Sequence, residues 1–70
     1  MVDVNELTKR IKLSDVSIAD IANEMGLTRQ ALYYKLNHKA EWTYRQAIIL
    51  QRMLKLSGKE MVELFCGEEE

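Results

Sequence analysis

The chain's 70 residues hold one small hydrophobic core and leave no room for a second domain or a large enzyme cleft, since domains usually run to about 100–200 residues. Hydrophobic residues make up 47% and charged residues 30%, the composition of a folded protein and too apolar for a disordered one. The net charge is −1, but it is segregated: Glu60 to Glu70 holds five acids and no base, whereas Thr28 to Arg45 sets Arg29, Lys35, Lys39 and Arg45 against Glu41 alone.

Proline is absent and the glycines are Gly26, Gly58 and Gly67, so helices dominate and strands have little to turn on. Helix starts are read from capping, in which a Ser, Thr or Asp accepts from a backbone N–H three residues on and an acid or amide there reaches back. Asp3-Val-Asn-Glu6 opens a first predicted helix over about Val4 to Lys12, with Val4, Leu7 and Ile11 on one face. Ser17-Ile-Ala-Asp20 opens a second over Ile18 to Met25, whose Ile18, Ile21, Ala22 and Met25 follow the helical period, and Gly26 ends it. Thr28 caps a third over Arg29 to Leu36, with a narrow apolar stripe of Ala31, Leu32 and Leu36 and an outer face both polar and aromatic. Thr43-Tyr-Arg-Gln46 opens a fourth over Tyr44 to Leu54, so apolar that it is expected to be the central helix of the packing. Ser57-Gly-Lys-Glu60 opens a fifth over Lys59 to Phe65. The expectation is an all-α domain spanning residues 1–67, followed by an acidic tail at 68–70.

The longest apolar run, Ala47 to Leu50, is far short of the roughly 18 residues that suggest a membrane span, and Met1 to Glu6 lacks the features of a signal peptide. With Cys66 the lone cysteine, these point to a reduced, cytoplasmic setting without membrane association. No Cys/His cluster offers a metal site and no glycine-rich loop offers a phosphate cradle. His38 and Cys66 stand far apart in sequence, so the expectation is neither an enzyme nor a cofactor or small-molecule binder.

Chemistry concentrates in Ile18 to Leu32, two short helices around a glycine-containing turn. Ala22 is small where a second helix crosses, Gly26 permits positive φ, and Leu32 anchors the third helix. The stretch Ser17-Ile-Ala-Asp-Ile-Ala-Asn-Glu-Met-Gly26-Leu-Thr-Arg-Gln-Ala-Leu-Tyr-Tyr-Lys-Leu-Asn37 resembles the helix-turn-helix of the lambda-repressor-like family, which includes phage repressors and Cro-type regulators. With the Asn37 to Thr43 loop and the last two helices, the resemblance covers about residues 5 to 65. Two positions depart from the pattern: His38 stands where glycine is common, and Lys35 stands where an apolar residue is usual, which shifts the anchoring to Leu36.

The resemblance implies a compact five-helix domain with the helix-turn-helix at helices two and three, the recognition helix covering about 28–36 and lying in the major groove. By position, Arg29, Gln30, Tyr33 and Tyr34 become the base-edge readers: Arg suits guanine, Gln suits adenine and a tyrosine ring packs on a thymine methyl. Ser17, Thr28, Lys35, Asn37, His38, Lys39 and Arg45 become the phosphate contacts. One of the tyrosine pair is expected to pack partly against Trp42 or the fourth helix, and Trp42 itself to pack as an apolar residue ahead of a capped helix. Cys66 reads as an inert thiol near the end of the fifth helix.

The implied function is that of a sequence-specific regulator, a phage or prophage repressor or Cro-like protein, which occupies a double-stranded DNA operator as a homodimer, at least on DNA. Met53, Met61, Val62, Leu64 and Phe65 are the candidate dimer surface. A different class stays open: a small helical protein-interaction module, an anti-repressor or antitoxin-like adaptor that keeps the fold without binding DNA, which the slight net acidity favours.

Overall fold

The computed structural model describes residues 3–38 and 41–65, and the expectations for Lys39, Cys66 and the 68–70 tail lie outside them. Five helices follow in chain order: α1 (Val4–Leu13), α2 (Ile18–Met25), α3 (Arg29–Asn37), α4 (Tyr44–Leu54) and α5 (Gly58–Phe65), with no strand among the described residues. The protein is all-α. Each helix lies within one residue of its expected bounds at both ends, because side chains cap the starts where the sequence places them. Asp3, Ser17, Thr28 and Thr43 each accept from the N–H three residues on, at 3.0–3.1 Å.

The reciprocal half of the capping box closes at two of the four expected sites. The Thr43 N–H donates to Gln46 Oε1 at 3.0 Å and the Ser57 N–H to Glu60 Oε1 at 2.8 Å. At α1 the partners are diverted: the Asp3 N–H donates to the Leu64 carbonyl at 2.9 Å and Glu6 accepts from Arg10 Nε at 3.2 Å. At α2 the shorter Asp20 side chain makes no return bond to the Ser17 N–H.

Two helices end in the same way with different residues. Gly26 is left-handed (φ 71°), its N–H reaching Asn23 O at 3.1 Å while the Leu27 N–H reaches Ala22 O at 2.8 Å. Lys55 takes the same conformation at the end of α4 (φ 56°), and the Leu56 N–H bonds Gln51 O at 3.0 Å. A side chain at Gly26 would meet no atom within 4 Å, so glycine is favoured there by φ and not by crowding.

The core joins Leu7 and Ile11 of α1, Ile21 and Ala22 of α2, Leu32 and Leu36 of α3, Leu50 of α4, Leu56 and Leu64. No polar side chain is buried among the described residues, so burial of these side chains, about 1.5–3 kcal/mol for each large one, is the main cohesive term. α2 packs on α3 and α4, and α1 packs on α3 and α5. This corrects the expectation that α4 is the central helix: its main packing partner is α2, and Ala47 and Ile48 remain half-buried. Leu64 is also reassigned, from the candidate dimer surface to the core, where it is 1% exposed. Met53, Met61 and Phe65 are half-buried against that core, which leaves Val62 as the one exposed member of the five.

Candidate nucleic-acid interface

The Ile21, Ala22, Leu32 and Leu36 side chains lock α3 onto the molecule by one face. Positions 29, 30, 33, 34 and 37 recur at helical spacing, so they form a single row on the opposite face. Arg29, Gln30, Tyr33, Tyr34 and Asn37 are all exposed, and His38 extends the row just past the helix. Both tyrosines face solvent, Tyr33 at 45% and Tyr34 at 59%, which corrects the expectation that one of them packs against Trp42 or α4. Leu32 and Leu36 already fill the inner face, so neither ring is needed there.

Arg29, Gln30 and Tyr33 make no side-chain hydrogen bond or ion pair with other described residues. Tyr34 is engaged by one neighbour: its ring lies parallel to the His38 imidazole, with centroids 4.1 Å apart and planes 12° apart. His38 Nδ1 lies 3.0 Å from the Tyr34 carbonyl. Around the row, Ser17 and Thr28 are exposed at the starts of α2 and α3, where free N–H groups collect partial positive charge. Arg45 is exposed in the first turn of α4.

Lys35 behaves differently from Arg29 and Arg45. It is half-buried, its ammonium donates to the Glu41 carbonyl, and it sits 5.2 Å from the centre of the Trp42 ring. Trp42 packs against the core as expected, its ring edge-on to Phe65 of α5 with centroids 6.5 Å apart. Lys35 is therefore tied to the loop before α4 and stands apart from the outer row.

Tyr44 is a residue that motif reasoning passes over. It is 82% exposed beside Arg45, and with Glu24, Ile48, Ile49 and Arg52 it lines a shallow groove between α2 and α4. Its signal in the sequence is an aromatic residue at the first helical position, next to an arginine, where no apolar side chain is needed. α2 adds exposed acids, Asp20 and Glu24, the latter 4.0 Å from Arg52.

The outer row thus offers a guanidinium, two carboxamides, two phenols and, just past the helix, an imidazole: hydrogen-bond donors and acceptors of several shapes along one face. No group of three or more metal-ligating side chains occurs among the described residues, and no helix of the structure is long and apolar enough to cross a membrane. No family model, curated protein or solved structure matches the chain.

Proposed function

We propose that the chain is a sequence-specific double-stranded DNA-binding regulator of the lambda-repressor-like helix-turn-helix type, a repressor or Cro-like protein that acts by occupying an operator. The observation that carries this reading is the outer row of α3: Arg29, Gln30, Tyr33 and Tyr34 exposed together on a helix that Leu32 and Leu36 fix by its other side. A major groove about 12 Å wide admits one α-helix, and the row matches the chemistry of base edges. Arg29 donates twice to guanine, Gln30 pairs with adenine, and the tyrosines meet thymine methyls. Ser17, Thr28, Asn37, His38 and Arg45 hold phosphates around them, while Lys35, already engaged with Glu41 and Trp42, contributes least.

A helix of 9 residues buries little surface, so tight binding calls for two copies on half-sites about 34–36 Å apart. Selection from random duplexes at two salt concentrations tests the reading. It predicts an enriched sequence with two inverted half-sites, the same at both salts, whose affinity falls as salt rises. Recovery of no preferred sequence at either salt overturns it.

A further inference from the structure

His38 touches Tyr34 twice, and the two contacts have different chemistry. A carbonyl oxygen only accepts, so His38 Nδ1 carries the proton in its 3.0 Å bond to Tyr34 O. That bond satisfies one of the last four carbonyls of α3, which have no helical N–H to bind. The same imidazole covers one face of the Tyr34 ring, at 4.1 Å and 12°. The neighbouring Tyr33, equally part of the outer row, has no aromatic partner among the described residues.

We infer that His38 is a positioning residue that holds the Tyr34 ring in one orientation on the last turn of α3, so that Tyr34 reads the methyl group of a thymine through its uncovered face and edge. The methyl contact rests on the DNA-binding reading above; the positioning does not. An aromatic side chain with one face already covered cannot be sandwiched between two bases, whereas in the major groove of an intact duplex the apolar group on offer is the thymine methyl. Holding the ring before DNA arrives removes the cost of ordering it on binding.

The first test uses the free protein. Proton NMR of the full chain should show the Tyr34 ring signals shifted upfield of those of Tyr33 and Tyr44 by the overlying imidazole. His38→Ala should return them to ordinary tyrosine values without disturbing the core methyl signals, and His38→Phe should keep the shift, because a phenyl ring stacks equally well. Tyr34 ring signals that are the same in wild type and His38→Ala overturn the positioning role, whatever happens with DNA. The second test uses the duplex recovered by selection, with each thymine replaced in turn by uracil, which lacks only the methyl. One replacement should weaken wild-type binding about fourfold, the equivalent of one buried methyl, and should have no effect on Tyr34→Ala. The uracil effect should shrink in His38→Ala, where the ring must be ordered on binding, and return in His38→Phe, whatever overall affinity both variants lose with the His38 phosphate contact. If the NMR signature holds and no duplex binds, the DNA-binding reading and the methyl contact fall and the positioning role stands. If duplexes bind with every uracil tolerated, the methyl contact falls alone.

Discussion

The α1–α5 pair and the outer row of α3 use similar side chains to opposite ends. Between α1 and α5, Arg10 bonds both Glu6 and Glu60, Glu60 also closes the cap of α5, and the Asp3 N–H reaches the end of α5 at Leu64. On α3, Arg29, Gln30 and Tyr33 bond to no other described side chain, although Arg29 carries the same group as Arg10. The difference shows which polar groups the fold needs. Those of the α1–α5 clasp tie two helices together; those of α3 take no part in the contacts among the described residues. Changes to the first should therefore move stability alone, and changes to the outer row should move binding alone.

The largest effect breaks the separation deliberately. Leu32 has no exposed surface and joins the outer row of α3 to the core, so Leu32→Ala should cost about 2–5 kcal/mol and, on the proposed reading, abolish DNA binding through unfolding, as followed by chemical denaturation with Trp42 fluorescence. Next comes Arg29→Ala, which should weaken the selected duplex by about 1–3 kcal/mol and relax preference at one base pair. Its unfolding free energy should change by no more than about 0.5 kcal/mol, because the side chain has no partner in the fold. A large stability loss for Arg29→Ala would merge the two regions.

Smaller effects sharpen the clasp side. Gly58 opens α5 with no atom within 4 Å of an added side chain, and Gly58→Ala should stabilise by about 0.4–1 kcal/mol at unchanged DNA affinity. Lys55→Gly should also raise the melting temperature, since the left-handed conformation costs an L-residue about 1–2 kcal/mol and glycine gives back only about 0.5–1 of it in lost freedom.

The last effect is read in pH. The Ser57 N–H, and after it the Arg10 guanidinium, hold the Glu60 carboxyl below the usual glutamate range. A depressed carboxyl stabilises the fold fully above its unfolded value of about 4.3, and that stabilisation is lost as pH falls through the lower folded value. Arg10, raised by Glu60 and then Glu6, stays charged in both states and adds no slope there. Thermal melts from neutral pH downward should lose less stability in Glu60→Gln than in wild type over that acid range, with a lower starting melting temperature. Equal acid slopes would show that the clasp does not depend on this charge.

Helix ends were the most legible part of the fold, because a cap is local: Thr43 and Gln46 lie three residues apart and bond each other in both directions. What joins distant segments was not legible. Arg10 and Glu60 are separated by 50 positions, and nothing in either neighbourhood marks the pairing. Apolar count misled for α4, since it says how much can be buried and not which neighbour buries it; Ile48 stays half-exposed while Leu50 is sealed. The place of Leu64 is hard to read for the same reason, as a small last helix can turn any of Met61, Val62 and Leu64 inward. On the outer row of α3 the residue types are legible from the motif, but their freedom is not. Lys35 and Arg29 look alike in sequence, and only the packing of Trp42 separates the engaged base from the available one.

The claim that α3 presents its outer row to a duplex is tested most directly by mapping amide shifts of the labelled protein during titration with the selected duplex. The account predicts that the largest changes fall on Thr28 to His38, with lesser ones at the starts of α2 and α4, while the α1–α5 clasp around Arg10 and Glu60 stays still. Changes centred on the clasp, with Arg29, Gln30, Tyr33 and Tyr34 unmoved, would contradict it.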